Sequence, residues 1–186
     1  PHPPWCPPQV YYDQFIHREL PAPTIGDWSH RHADEADYPL DTSAWRGRLP
    51  AHIVQRARAA YFAYLAFLDA QTGRLLERMQ RGGLLNDTFV IFTSDHGEML
   101  GDHHLWRKTY AYEASARVPL IVKPPTSMRV ERNVKCSQLV GWEDIMPTLL
   151  ETADKALPTT VEGQSIYPFL RDNTHVGRSY YHGEHS

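Results

Sequence analysis

The hydrophobic pattern of residues 51–93 constrains the fold more than any other feature of this chain. It consists of a periodic part, residues 51–81, and a continuous run of β-branched and aromatic residues, 88–93. In residues 51–81, apolar side chains recur at intervals of three, four and seven positions, which predicts one long amphipathic helix. The stripe consists of Ile53, Ala57, Tyr61, Tyr64, Leu68, Leu75 and Met79, and Arg58, Arg74, Glu77, Arg78 and Arg81 lie mostly off it. Gly82-Gly83 is expected to end the helix. Residues 88–93 are β-branched or aromatic almost throughout and predict a strand that is buried on both faces.

The rest of the chain continues the alternation of helix and strand. Residues 118–122 predict a second strand, which the prolines at 124 and 125 stop. Residues 143–152 predict another helix, with Pro147 tolerated near its first turn. Helix, strand, loop, strand and helix in this order indicate an α/β arrangement.

The first 50 residues have a different character, because they hold nine of the fifteen prolines. Proline lacks a backbone donor and fixes φ, so this part is expected to be an extended, ordered loop region with a short helix near residues 11–19. A loop of this length is unusual in a compact domain. It is therefore expected to carry function or to lie over a larger body.

Composition and charge exclude several classes of protein. No window approaches 18 consecutive apolar residues, so no membrane span is expected, and this stretch has no secretory signal. The net charge of −3, from 19 basic and 22 acidic residues, argues against a dedicated nucleic-acid binder. Cys6 and Cys136 cannot form a disulfide framework, although a single bridge stays open, and the compartment stays open between cytoplasm and periplasm or secretion.

The chemistry-bearing residues follow the first predicted strand. Asp95-His96-Gly97 comes directly after it, where α/β folds place their ligands. A carboxylate oxygen and an imidazole nitrogen can supply two ligands to a divalent cation. Lys108, twelve residues after His96, can return over the same pocket and meet an anionic oxygen. The alternative is a plain turn, in which Asp95 caps the backbone and Gly97 takes a positive φ.

Residues 88–122 resemble the sulfatase family of the alkaline-phosphatase superfamily. The shared pattern is Thr-Ser-Asp-His-Gly, Leu-Gly-x-His, a lysine twelve residues after the first histidine, and Arg-Val-Pro-Leu-Ile-Val. Further similar stretches bring the resemblance to nearly the whole chain: Tyr61, Leu68-Asp69, Gly73 and Gly83-Leu84-Leu85, then residues 144–150, residues 161–166 and Pro1-His2-Pro3-Pro4.

The resemblance implies a fold and a domain division. The fold is an alkaline-phosphatase/sulfatase-like α/β domain, a mixed sheet flanked by helices, present here in part. Residues 1–50 would form the Pro-rich loop region on the side of the active site. Residues 51–186 would form the C-terminal part of the sulfatase domain, including the start of the C-terminal subdomain.

The resemblance also implies roles for individual residues. Asp95 and His96 match metal ligands, for which Ca²⁺ is expected first, with Mn²⁺ or Mg²⁺ open. Lys108 matches the lysine that contacts the sulfate and the leaving oxygen, and His2 the histidine near the leaving group. Three residues are expected on the substrate side or in the outer shell of the site, with a structural role open for the first of them: His103, His104 and Arg107. Glu98 and Asp102 are expected to be solvated or to lie in that outer shell.

The nucleophile of the family is absent from this chain. It is a formylglycine made from a Cys or Ser in a Cys/Ser-x-Pro-x-Arg motif, and neither Cys6 nor Cys136 stands in such a motif. The chain is therefore expected to be a C-terminal portion of a longer enzyme and inactive alone, with its N-terminal half as a partner. His182, Glu184 and His185 could form a metal cluster, but a strand or a pocket edge is favoured.

These expectations lead to one main function and two alternatives. The main one is hydrolysis of a small anionic sulfate ester by a metal-dependent sulfatase. The second is a phosphonate monoester or phosphodiester hydrolase of the same superfamily, and the third is a non-catalytic binding module with the sulfatase fold. No nucleic acid and no membrane are expected as partners.

Overall fold

The computed structural model describes residues 2–33 and 44–183, which form two compact units. The first unit comprises the described residues up to 85 together with residues 91–121, and the second comprises residues 86–90 and 122–183. Pro1 lies outside the described residues, as do Glu184 and His185 of the possible metal cluster, whereas His182 lies within them.

The first unit is built on the long helix. Helix α3 spans Ala51–Arg81, as the spacing predicts, and ends where the Gly82 amide donates to the carbonyl of Arg78. Its predicted apolar stripe is only partly correct. The buried apolar residues of the helix are Ala59, Ala60 and Ala63, whereas Leu68 and Leu75 on the stripe are 40% and 60% exposed. The N-terminal region contacts the first half of α3, and the exposed leucines follow in the second half.

The described part of residues 1–50 contains short elements, of which the first packs on α3. These are α1 (Gln9–Tyr12), a 3-10 turn (Asp27–Ser29), α2 (His30–Ala33) and β1 (Ala44–Arg46). The helix expected over residues 11–19 is therefore shorter and earlier. Three aromatic pairs bind the region to α3, namely Trp5–Tyr61, Tyr11–Phe67 and Phe15–Phe62. In its described part, the Pro-rich region thus lies partly on α3 and partly, through α2 and β1, on residues 102–107.

Two pairs of strands are described. Strand β1 pairs antiparallel with β3 (Leu105–Arg107), with Trp45 opposite Trp106. Strand β2 (Val90–Thr93) is hydrogen-bonded to β4 (Leu120–Lys123), and the short helix α4 (Glu113–Ala116) precedes β4. The expectation that β2 is buried on both faces is wrong, since Phe92 is 46% exposed. Within the described residues β2 has a single neighbouring strand, and no layer covers Phe92.

The second unit is organised around a buried carboxylate. A 3-10 turn (Trp142–Asp144) leads into α5 (Ile145–Thr152), in which Pro147 is the third residue, and α6 (Tyr167–Arg171) follows. Asp144 is 1% exposed and accepts hydrogen bonds from the amides of Gly141 and Gln164 and from Arg178. These bonds join three segments of the unit through one side chain.

The structure contains no helix, within the described residues, that is long and apolar enough to span a membrane.

Candidate active site

The candidate site begins where β2 ends. The Gly97 amide donates to the carbonyl of Ser115 at 2.8 Å, so the backbone of the two segments is in close contact. A Cβ atom at Gly97 would lie 2.0 Å from the carbonyl oxygen of Ala114. Gly97 is therefore required for close approach and does not have the positive φ of the plain-turn interpretation.

Three of the predicted site residues come together at the imidazole of His96. Its Nδ1 lies 2.7 Å from the carbonyl oxygen of Gly97, and its Nε2 lies 2.9 Å from Nζ of Lys108. A neutral ring that donates from Nδ1 leaves Nε2 as an acceptor, so the Lys108 ammonium donates to it. The carboxylate oxygen Oδ2 of Asp95 is 3.5 Å from the same Nε2. The predicted spacing of His96 and Lys108 thus produces a direct contact.

Asp95 is held as an anion beside this pair. Burial alone would raise the pKa of its carboxyl, but electrostatic interactions with His96 and Lys108 and the hydrogen bond from the His96 amide lower the pKa below its ordinary value. Its side chain is 78% exposed. An exposed, ionised carboxylate is a competent cation ligand.

The donor set at Asp95 and His96 fits a divalent cation. Two donors on one Ca²⁺, each at about 2.3 Å and at a right angle, are about 3.3 Å apart, close to the 3.5 Å between Oδ2 and Nε2. The His96 ring also has the tautomer that a metal ligand needs. Its Nδ1 carries the proton and donates it to the Gly97 carbonyl, so Nε2 keeps a lone pair for the ion. Within the described residues no group of three His, Cys, Asp or Glu could hold a metal. Asp95 and His96 therefore provide two of the several ligands that such an ion needs.

Residues 98–107 form a hairpin between His96 and Lys108, closed by Glu98. Its Oε1 accepts hydrogen bonds from the amides of both Leu100 and Arg107. Burial raises the pKa of Glu98, although these two amides oppose the change. Asp102 likewise serves the backbone, since its Oδ1 accepts the Thr24 amide at 3.0 Å. Both carboxylates therefore hold backbone amides in place, and their outer-shell role stays a prediction.

The hairpin backbone is unusual. Five of the seven non-glycine residues with positive φ, among the described residues, lie in this segment or directly after it: Leu100, His103, His104, Arg107 and Thr109. Such conformations are uncommon outside glycine and are maintained only by the surrounding structure.

His103 lies in an aromatic cluster. Its ring centroid is 4.6 Å from that of Trp28 and 5.3 Å from that of Tyr112, and these two rings stack on each other. Its Nδ1 accepts the amide of Gly26 at 3.1 Å. These contacts tie the hairpin to the N-terminal region, and they are compatible with either the substrate-side or the structural role.

The remaining predicted residues make contacts of other kinds. His104 lines an apolar pocket with Trp106, and burial, Arg48 and His103 all lower its pKa. Arg107 contributes its amide to Glu98. His2 is exposed, with Nδ1 2.7 Å from the carbonyl oxygen of Pro3, and its role near a leaving group stays a prediction.

Sequence reasoning missed Arg58. The apolar spacing leaves it off the stripe with the other arginines of the helix, yet it is 7% exposed and donates from Nη1 to the carbonyl of Leu100 at 2.7 Å. Burial lowers its pKa, and Asp102 partly compensates. No spacing in the helix distinguishes this arginine from exposed ones, because its partner lies 42 residues further along the chain.

Comparison with known proteins gives a consistent result. The sulfatase family model matches residues 1–155. An arylsulfatase of Clostridium perfringens is 38% identical over 100% of this chain and 39% of its own length, and arylsulfatase K of Bos taurus is 36% identical over 70% of this chain and 24% of its own. The phosphonate monoester hydrolase of Silicibacter pomeroyi superposes with a TM-score of 0.77 at 25% identity, covering 98% of this chain and 37% of that one.

The chain thus spans about two fifths of the length of the curated arylsulfatase that it matches along its whole length. Its structural neighbours have the α/β fold that the alternation of helices and strands predicts, present here in part. The matched residues include the Asp95, His96 and Lys108 cluster and nearly all of the first unit. The chain belongs to the sulfatase family of the alkaline-phosphatase superfamily.

Proposed function

We propose that this chain provides the cation-binding and sulfate-binding side of a sulfate-ester hydrolase. The observation that carries the proposal is the contact of Lys108 with His96 Nε2 beside the Asp95 carboxylate. This arrangement brings together two sources of positive charge for an anionic substrate. One is the cation that the two ligands would bind, and the other is the ammonium group of Lys108. The family membership and the arylsulfatase relatives support the same activity.

Asp95 and His96 would hold a divalent cation, and the ion would supply positive charge against the sulfuryl oxygens. Ca²⁺ is our first choice because the site offers a hard carboxylate oxygen, and Mn²⁺ or Mg²⁺ is the alternative. The Gly97 carbonyl keeps the proton of His96 on Nδ1, which leaves on Nε2 the lone pair that would bind the ion. Lys108 would bind a sulfate oxygen and the leaving oxygen once its ammonium releases Nε2.

The covalent step would require a formylglycine nucleophile from a part of the polypeptide outside this chain. His2 would protonate or stabilise the leaving group. The substrate would be a small anionic sulfate ester, and the described residues do not favour an aryl, sugar or choline group.

The test is hydrolysis of 4-nitrophenyl sulfate by the full-length protein that contains this sequence, before and after removal of divalent ions with a chelator. We expect turnover that is lost on chelation and restored by Ca²⁺ or Mn²⁺. The 186-residue chain alone should show no turnover and only weak cation binding by calorimetry. Turnover by the chain alone would refute the external nucleophile.

A phosphonate monoester or phosphodiester hydrolase is the second candidate, favoured by the structural match to a phosphonate monoester hydrolase. Both ester classes carry one negative charge, so Lys108 does not discriminate between them. Comparing kcat/KM for 4-nitrophenyl sulfate and a 4-nitrophenyl phosphonate monoester shows which of the two ester classes is the preferred substrate. Hydrolysis of neither ester, with retained sulfate binding, would instead support a non-catalytic module.

A further inference from the structure

We propose that Arg58 and Glu98 are positioning residues that hold Lys108 against His96. Glu98 accepts the amide of Leu100 and Arg58 donates to the carbonyl of Leu100, and we call these two contacts the clamp. The role in turnover rests on the proposed hydrolase function, whereas the clamp itself can be tested separately. Neither side chain is expected to touch substrate. Both act through the backbone of the hairpin 98–107.

The first half of the clamp is the carboxylate of Glu98. One oxygen, Oε1, accepts the amide of Leu100 at 3.1 Å and also the amide of Arg107, at the opposite end of the hairpin. Arg107 directly precedes Lys108. One carboxylate oxygen therefore holds both Leu100, near the start of the hairpin, and Arg107, the residue directly before Lys108.

The second half is the guanidinium of Arg58 on α3. It is 7% exposed, its Nη1 donates to the Leu100 carbonyl at 2.7 Å, and its Nε has no hydrogen-bond partner among the described residues. Burying a guanidinium with an unsatisfied donor is costly. The hydrogen bond to Leu100 offsets part of this penalty, as does the contact of the guanidinium with the Phe62 ring, 5.9 Å from the ring centroid.

Leu100 needs both partners because of its conformation. Its φ of 50° is in the left-handed region, which a leucine adopts only when its surroundings enforce it. Glu98 fixes its amide and Arg58 fixes its carbonyl. Removing either partner allows the residue to relax, and the hairpin then changes shape.

The hairpin transmits this change to the site through its backbone bonds. The Met99 amide donates to the Arg107 carbonyl at 2.7 Å, and the Glu98 and Gly97 amides donate to the carbonyls of Ala114 and Ser115. The His96 side is therefore anchored to α4, while the Lys108 side is held through Arg107, both by the clamp and by the pairing of β3 with β1. Relaxation at Leu100 moves Lys108 relative to His96.

The experiment compares Glu98→Ala and Arg58→Met in the full-length protein with Glu98→Gln. We expect kcat for 4-nitrophenyl sulfate to fall about 100-fold in the first two variants, with KM changed only a few-fold, because a small displacement weakens the transition state more than substrate binding. Glu98→Gln should retain most of kcat, since one carbonyl oxygen can accept both amides. A fall in Glu98→Gln equal to that in Glu98→Ala would overturn the positioning role.

Two matched variants control for loss of charge. Arg56→Met removes an exposed arginine two positions away on the same helix, and Glu162→Ala removes an exposed carboxylate of the second unit. Both should have the kcat of the parent protein. Equal kcat values in Arg58→Met and Arg56→Met would overturn the proposal.

Hydrogen exchange separates this inference from the proposed function. In Glu98→Ala and Arg58→Met, the amides of Leu100 and Arg107 should exchange faster while those of α3 stay protected. If the parent protein hydrolyses no ester, the proposed function fails and the exchange data alone decide. Unchanged exchange at Leu100 and Arg107, or an equal increase throughout the protein, would refute the clamp.

Discussion

The ammonium group of Lys108 donates to His96 Nε2 across 2.9 Å, and this nitrogen is also the one that a cation would bind. Lys108→Ala should therefore lower kcat about 100- to 1,000-fold, as loss of a charge donor at a developing anion does. It should not weaken cation binding, because the variant removes a competitor for Nε2. Steady-state kinetics and calorimetry with Ca²⁺ measure the two effects, and Lys135→Ala, at an exposed lysine, is the control. Unchanged turnover in Lys108→Ala would refute the site.

Gly97 makes the closest backbone approach in the site, since an added Cβ would lie 2.0 Å from the Ala114 carbonyl oxygen. Gly97→Ala should lower the free energy of unfolding by about 1–3 kcal/mol through overpacking. The matched change is Gly73→Ala in α3, where nothing lies within 4 Å of the added carbon. It should raise stability by about 0.5–1 kcal/mol, the helix preference of alanine over glycine. Urea denaturation of both variants tests the contrast, and equal effects would contradict it.

Arg178 pairs with the carboxylates of Glu143 and Asp144 at 2.6 Å each, and the Asp144 side chain is 2% exposed. Arg178→Ala leaves Asp144 buried with only backbone partners, so the free energy of unfolding should fall by about 3 kcal/mol. Arg171→Ala, at an exposed arginine of α6, should change it by less than about 0.5 kcal/mol. Denaturation curves of the two variants decide, and a small loss in Arg178→Ala would show that the amides alone satisfy Asp144.

The Tyr181 hydroxyl donates to Oε2 of Glu143 at 2.6 Å. This hydrogen bond, with burial, raises the pKa of Tyr181 to about 12. A raised pKa means that the stabilisation is complete below the ordinary tyrosine pKa of about 10 and is lost as the pH rises through about 12. Glu143→Gln should move the titration of Tyr181 to lower pH.

Tyrosinate absorbance measures this change. The difference between the parent protein and Tyr181→Phe isolates one of the ten tyrosines. Tyr180→Phe, at a side chain that is 77% exposed, should leave the late component in place. An absorbance change already complete near pH 10 in the parent protein would contradict the hydrogen bond.

The sequence was most informative where local spacing decides the outcome. The bounds of α3 follow from its periodicity and from Gly82, and the contact between His96 and Lys108 follows a motif whose spacing is fixed along the chain. Pro147 lies in the first turn of α5, as its missing amide requires. These features depend on a few neighbouring residues, which is why the sequence was sufficient.

The sequence was least informative where partners are distant. In the sequence Arg58 resembles the exposed arginines of α3, because only folding brings Leu100 next to it. Likewise, nothing in the sequence at Phe92 indicates which face of β2 is covered. The roles of Glu98 and Asp102 were limited to alternatives because their partners are backbone amides, which carry no signature in the sequence. Burial and hydrogen bonding to the backbone are properties of the assembled fold.

The pair of strands β2 and β4 has a practical consequence for anyone who prepares this chain. Within the described residues each strand has one hydrogen-bonded neighbour, and Phe92 and Ile121 are 46% and 61% exposed. Open edges beside apolar side chains readily accept further strands from other molecules. Isolated in concentrated form, the 186-residue chain should self-associate, and light scattering that rises with protein concentration would be the first sign.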